Sequence, residues 1–127
     1  MPRYSGACHC KAVRFEVDAV IDHVRSCDCS VCAKRGALNF RVAPEQFRLL
    51  TPWEDLAVYR WGTNTAADYF CPTCGILPFR KPRGVTPGEI ASGAKPFDGW
   101  AVNVRCLDGF DVASVPVRLV CGSALPI

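Results

Sequence analysis

The sequence predicts a mainly β fold, and three observations indicate it. Short segments rich in β-branched and aromatic residues recur along the chain. Ten prolines and ten glycines separate these segments. No long segment repeats apolar residues at helical spacing. In 127 residues, half of them hydrophobic, we expect one domain that spans residues 1–127 and encloses a single core.

Five segments are predicted strands. The clearest is AVRFEVDA, in which Val13, Phe15 and Val17 alternate with charged residues, as in a half-buried strand. In chain order, the predicted strands cover residues 12–19, 47–50, 56–61, 100–107 and 116–121. Brief helical turns are predicted at residues 33–36 and 43–46, the second because proline suits an opening helical position. Residues 81–99 contain too many prolines and glycines for a regular element and are predicted to form one irregular loop.

The cysteines indicate metal sites. The first residues contain no apolar run typical of a signal peptide, and no segment has the apolar length that a membrane helix needs. We therefore expect a soluble, cytoplasmic protein without a membrane partner. In a reducing compartment, nine cysteines favour thiolate metal sites over disulfides, and their odd number argues the same way. A disulfide scaffold is the alternative interpretation.

Two cysteine pairs have the spacing of a structural zinc site. Zinc at a Zn–S distance of about 2.3 Å needs sulfurs roughly 3.7 Å apart. A C-x-C pair on a strand can reach this spacing, and so can a tight C-P-T-C turn followed by Gly75, since glycine tolerates positive φ. Pairing Cys8 and Cys10 with Cys71 and Cys74 predicts a closed site that joins distant parts of the chain.

The remaining cluster, CDCSVC, supplies three ligands and leaves one position open. Cys27, Cys29 and Cys32 can hold a second ion, and an open position is typical of catalytic zinc. The fourth ligand is predicted to be water or a substrate. Sulfur-rich ligation favours zinc, so the predicted cofactors are two Zn²⁺ per chain, one structural and one catalytic.

Other residues leave alternatives open at the second site. Three could close it instead: His23, Cys106 and Cys121. The two spare cysteines are otherwise interpreted as buried apolar side chains. His9 is expected to point away from the metal of its neighbours. The carboxylates nearest the cysteines are interpreted as turn or surface residues: Asp28, Asp68 and Asp108.

The net charge does not identify a nucleic-acid partner. The formal charge is +3, but seven thiolates with two Zn²⁺ would add three negative charges and cancel it. Several cations adjoin cysteines in sequence, where they would offset thiolate charge: Lys11, Arg25, Lys34 and Arg35. Because lysine and arginine are not interleaved with aromatic residues in any run, nucleic acid is not expected as a partner.

Four motifs in order, GACHCKAVRFEV, CDCSVCAKRG, YFCPTCGILPF and VNVRCLDG, resemble the glutathione-dependent formaldehyde-activating enzyme family, which includes centromere protein V. The resemblance implies a β-tent of small antiparallel sheets stapled by zinc. It also implies the same division of the seven cysteines, with the glutathione sulfur acting at the zinc of the triplet. Lys11 is a departure, since many members have glycine at that position.

The main functional hypothesis is a carbon–sulfur lyase. It adds a thiol, expected to be glutathione, to formaldehyde or a similar small aldehyde to give S-hydroxymethylglutathione, or catalyses the reverse. Four residues are predicted to bind the substrate carboxylates, the last two from one strand face: Lys34, Arg35, Asn103 and Arg105. The alternatives are a non-enzymatic zinc module that binds protein or nucleic acid, and a redox-sensitive metal-buffer site.

Overall fold

The structure, a computed structural model, describes residues 1–62, 64–84, 87–93, 95 and 97–124, and it confirms the mainly β fold. The described strands are β1 (Arg3–Ala7), β2 (Arg14–Asp18), β3 (Val24–Cys27), β4 (Asn39–Val42), β5 (Phe47–Leu49), β6 (Ala57–Tyr59), β7 (Ala67–Phe70), β8 (Phe79–Lys81), β9 (Trp100–Asn103) and β10 (Val117–Val120). Two short helices accompany them, α1 (Ser30–Arg35) and α2 (Pro87–Ala91). Within the described residues, neither is long and apolar enough to cross a membrane.

The strands form two sheets of unequal size. The smaller sheet is antiparallel and has the order β1-β2-β5. The larger sheet has seven strands in the order β10-β3-β4-β9-β8-β7-β6. Its β10–β3 pair is parallel and its other pairs are antiparallel. The two sheets therefore agree with the mainly β fold of antiparallel sheets that the family resemblance implies, and the larger one is mixed at one edge because the last strand returns beside β3.

All five predicted strand segments contain a strand, but one is shorter than expected. β9 ends at Asn103, and Val104–Cys106 forms a 3₁₀ helix. The side-chain carbonyl of Asn103 accepts the Arg105 N–H at 3.2 Å and so caps that helix. The prediction that Asn103 and Arg105 share a strand face is therefore wrong, because the backbone turns between them.

The helical predictions are close to the structure. The turn at residues 43–46 is the 3₁₀ helix Pro44–Gln46. The turn at 33–36 belongs to α1, which begins earlier because the Cys29 sulfur accepts the Cys32 N–H at 3.4 Å. The segment 81–99 is not wholly irregular, since its first residue belongs to β8 and it contains α2. Residues 85, 86, 94 and 96 of that segment lie outside the described part.

Aromatic side chains join the two sheets. Phe15 of β2 and Phe47 of β5 meet Phe79 of β8 at ring-centroid distances of 5.9 and 4.7 Å. Phe15 and Phe79 are fully buried. Cys8 and Cys71 belong to the same core. Burial of these rings and sulfurs supplies the main apolar contact between the sheets.

Candidate functional site: two cysteine clusters and an arginine-lined cavity

Four cysteines meet where the two sheets join. The sulfurs of Cys8, Cys10, Cys71 and Cys74 all lie within 4.8 Å of one another. The Cys8–Cys10 and Cys10–Cys71 sulfur distances are 3.7 and 3.6 Å, which suits tetrahedral zinc. The C-x-C pair was predicted to lie on a strand, but it does not. It occupies the turn after β1, which the Cys8 N–H closes by donating to the Val13 carbonyl.

The two turns of this first cluster each contain a residue with positive φ. Gly75 has φ of 81°, and its N–H donates to the Cys71 carbonyl at 2.7 Å, which confirms the turn predicted there. Lys11 has φ of 67°, and its N–H donates to the Cys8 carbonyl at 3.2 Å. A left-handed backbone costs a non-glycine residue about 1 kcal/mol. This conformation explains why glycine suits position 11.

The acidities in the first cluster are unequal. Burial raises the pKa of the Cys74 thiol, but the backbone N–H groups of Cys10 and Ile76 outweigh it and lower that pKa to about 6. The Ala12 N–H lowers the pKa of Cys10, yet desolvation and the three neighbouring sulfurs raise it to about 11. Crowded thiols do not all ionise without a cation among them. The donor set therefore fits a bound Zn²⁺, which favours four thiolates.

Three cysteines form the second cluster. Cys27 ends β3, Cys29 caps α1 and Cys32 lies in its first turn, with all three sulfurs within 4.8 Å of one another. The Cys29 N–H donates to the Cys27 sulfur at 3.5 Å. In the described part of the chain, no fourth Cys, His, Asp or Glu ligand atom joins this set. The cluster therefore fits a metal ion that keeps one position open.

The second cluster also favours a cation over three free thiols. Burial, together with a hydrogen bond to the Cys29 sulfur, raises the pKa of Cys32 to about 12. The pKa of Cys29 is lowered, because hydrogen bonds from the Cys32 N–H and neighbouring groups outweigh the effect of burial. Metal binding would supply the positive charge that ionisation of Cys32 requires.

The residues considered as closing ligands lie elsewhere. Cys106 is half-buried, and burial together with the charges of Cys8 and Cys74 raises its pKa to about 11, which places it beside the first cluster. Cys121 is exposed rather than buried as interpreted. The His23 ring contacts the Asp22 carboxylate at 2.6 Å and packs edge-on against Phe40. Within the described residues, none of the three joins the triplet.

A cavity of about 80 Å³ adjoins the second cluster. We call it the arginine cavity. It is lined by Arg25, Asn39, Arg41, Arg80 and Arg83, together with Cys27, Cys29, Pro82, Ala101, Val120 and Gly122. Arg25 was expected near thiolates from its position in the sequence, but Asn39 and the other arginines of this set were not predicted. One pattern could have found part of it: Arg25 and Cys27 stand two apart on β3 and so share a face.

A buried carboxylate connects the cavity to α1. Asp68 of β7 is 1% exposed and accepts from Arg80 at 2.6 Å and from Arg35 at 3.3 Å. Its interpretation as a turn or surface residue is therefore wrong. The side chain points inward from its strand, and its ion pairs with these two arginines make burial of the charge tolerable. Asp68 positions Arg80 at the cavity and Arg35 on the helix that carries Cys32.

The predicted substrate-binding residues are divided between two places. Lys34 is exposed and Arg35 half-buried in the last turn of α1. Asn103 and Arg105, with Arg35, line a second cavity of about 410 Å³ beside Cys8 and Cys106. The Asn103 amide donates to the Leu77 carbonyl at 3.0 Å. None of these four lines the arginine cavity, and a role in substrate binding stays a prediction for them.

Gly122 allows the C-terminal segment to pack on the triplet. The Asp28 carboxylate accepts the Ser123 N–H at 2.9 Å, and this bond holds the 3₁₀ helix Gly122–Ala124 against the cluster. A Cβ atom at Gly122 would overlap the Cys27 sulfur and lie 3.1 Å from the Cys29 Cβ. The absence of a side chain at position 122 is therefore needed for the placement of the Cys27 sulfur, and it also leaves room for the Cys29 Cβ.

Gly122→Ala is expected to lose metal from the second cluster alone. Displacing the Cys27 sulfur removes one of three chain ligands, while the first cluster is untouched. Elemental analysis after dialysis against a weak chelator should find about half the zinc of the wild type, and circular dichroism should find the fold kept. Ser123→Ala, which keeps the backbone N–H, is the matched control. A Gly122→Ala protein that retains full zinc would contradict this account.

Together, the fold and the site define a class: a small, mainly β protein with a cysteine quartet at the edge of its core and a cysteine triplet of which two members line an arginine-lined cavity. The family model for the glutathione-dependent formaldehyde-activating enzyme matches residues 3–94, and the chain belongs to that family. A crystal structure of a Rhodobacter sphaeroides protein is similar at 34% identity and a TM-score of 0.71, over 90% of this chain and 99% of that one. The family implies an enzyme that acts on formaldehyde with glutathione.

Proposed function

We propose that the protein is a zinc-dependent carbon–sulfur lyase that joins glutathione to formaldehyde and also catalyses the reverse reaction. One observation carries the proposal in this family member. Three sulfurs have no fourth chain ligand among the described residues, and two of their cysteines, Cys27 and Cys29, line a cavity that arginines also line. This arrangement can admit a thiol at the cluster while cations contact the rest of an acidic substrate.

The two clusters would have different roles. Cys8, Cys10, Cys71 and Cys74 would hold a structural Zn²⁺ at the edge of the core, and the triplet would hold the second ion. When bound there, Zn²⁺ would favour the thiolate form of an incoming thiol and offer Lewis acidity, which three anionic sulfurs weaken. Delivery of a thiolate is therefore the role we assign to the second site.

The chemistry itself is a simple addition. The glutathione thiol loses its S–H proton to solvent, a lone pair of the resulting thiolate forms the new C–S bond to the aldehyde carbon, and the C=O π electrons move to the oxygen. That oxygen takes up a proton from solvent to give the hydroxymethyl group, and the reverse reaction runs through the same steps. The protein would contribute mainly by holding the two reactants together in the cavity beside Cys27 and Cys29.

The test is a measurement of exchange, because thiols and formaldehyde also combine without an enzyme. NMR exchange spectroscopy at equilibrium would measure the interconversion rate of free formaldehyde and S-hydroxymethylglutathione. We expect that rate to rise in proportion to the concentration of zinc-loaded protein, with the equilibrium constant unchanged. Equal rates with and without protein, across several glutathione concentrations, would refute the proposed reaction.

A further inference from the structure

We infer that the arginine cavity is a carboxylate subsite, and that it receives the C-terminal glycyl carboxylate of the thiol substrate with its adjacent amide N–H. This inference rests on the proposed function for the identity of the thiol. The chemistry recognised is an anion with a hydrogen-bond donor next to it. A carboxylate on the aldehyde could supply the same anion, and the experiment separates the two sources.

The cavity carries more positive than negative charge. Arg80 shares the Asp68 carboxylate with Arg35, and Arg83 pairs with Glu89 at 2.6 Å. Among the described residues, no carboxylate lies within 4.0 Å of a nitrogen of Arg25 or Arg41. Two guanidiniums at the cavity are therefore not neutralised by an ion pair, and a bound carboxylate would neutralise them.

The crowding of positive charge destabilises the charged form of Arg41. Part of its side chain is exposed, yet the surrounding protein desolvates the guanidinium. Desolvation and repulsion from Arg25, Arg80 and Arg83 lower the pKa of Arg41 to about 10. The group remains charged at neutral pH, but the folded protein stabilises that charge less than water does. An anion in the cavity would offset this penalty.

A buried acceptor adds a second requirement on the ligand. Asn39 is 8% exposed, lines the cavity, and its side-chain carbonyl oxygen has no hydrogen-bond partner among the described residues. A buried acceptor without a partner is destabilising, so a ligand that donates an N–H here is favoured. An ammonium group would be repelled by the neighbouring guanidiniums. A neutral amide N–H beside a carboxylate satisfies both Asn39 and the arginines.

The size of the cavity limits what can enter. A volume of about 80 Å³ is several times the roughly 10–15 Å³ that one ordered water needs in the same measure. The cavity can therefore receive a small polar group such as a carboxylate with one methylene group. Because Cys27 and Cys29 form part of the wall, a glycyl end placed in the cavity leaves the cysteinyl sulfur of glutathione near the triplet.

The experiment measures binding without turnover. S-methylglutathione keeps both carboxylates but lacks a free thiol, and its C-terminal amide lacks only the glycyl charge. Isothermal titration calorimetry would measure the affinity of zinc-loaded protein for both compounds. We expect Arg41→Gln to weaken S-methylglutathione binding at least about tenfold and to leave the weaker binding of the amide nearly unchanged. Arg25→Gln should behave in the same way, and it provides a second test if Arg41→Gln fails to fold.

The controls distinguish this inference from the proposed reaction. Arg60→Gln removes an exposed positive charge outside the cavity and should not change either affinity. Equal binding of acid and amide by the wild type, or equal losses for both compounds in Arg41→Gln, would overturn the subsite. So would glyoxylate binding that depends on Arg41 while S-methylglutathione binding does not, since the anion would then come from the aldehyde. Charge-dependent binding without catalysed exchange would support the subsite and refute the reaction.

Discussion

Cys71→Ser is expected to unfold the protein under conditions where the wild type is folded. Cys71 is fully buried, belongs to the core and is one of four sulfurs in the first cluster. Structural zinc contributes on the order of 10 kcal/mol to folding, which is comparable with the entire net stability of a domain. Circular dichroism during heating would show the loss of a cooperative transition, and elemental analysis would show loss of zinc.

Cys121→Ser is the matched control for this prediction. Cys121 is exposed and lies outside both clusters, so the same chemical change there should alter the free energy of unfolding by no more than about 0.5 kcal/mol. The structural role of the first cluster would be contradicted if Cys71→Ser kept two zinc ions and the wild-type melting temperature.

Cys32→Ala is expected to abolish catalysed exchange while the protein stays folded. The substitution removes one of three thiolates, and alanine preserves helix α1 because it has the highest helix propensity. The second zinc should be lost, and the exchange rate between formaldehyde and S-hydroxymethylglutathione should fall to the rate without protein. The NMR exchange measurement and elemental analysis on the same sample check both parts.

Two other results for Cys32→Ala would contradict the separate roles of the two clusters. Cys32 is 4% exposed but does not belong to the main core, so its loss should lower the melting temperature by only a few degrees. Full catalysed exchange by a folded Cys32→Ala protein with one zinc ion would show that the triplet is not the site of the reaction. Unfolding of this variant would show that both clusters support the fold.

The different surroundings of the two clusters support different roles. The first lies where the sheets join, shares the core with aromatic rings and connects residues more than sixty positions apart. The second is built from the end of β3 and one short helix, and it borders a cavity. A metal ion in the first position ties distant segments together, whereas one in the second position can meet a ligand.

The division of the cysteines into two groups was predictable from their spacing, because ligand spacing is a local property. C-x-C, C-x-x-C and their combination restrict which sulfurs can approach one ion, whatever the remaining chain does. The strand that contains Phe15 and Val17 was equally predictable, since alternation with period two is also local. The structure contains both the two cysteine groups and this strand, with small changes in the boundaries of the strand.

The surroundings of the triplet depend on how the whole chain packs and could not be predicted from spacing along the sequence. The arginine cavity is lined by side chains from β3, β4 and β8. Gly122, which follows β10, packs against Cys27 at the same place. These neighbours follow from the parallel β10–β3 pairing and from the register that sets Asn39 opposite Arg25. Strand order and register depend on the packing of all strands at once. The sequence pattern of a strand predicts which face of the sheet each residue occupies, but it does not predict which strands pair with that strand.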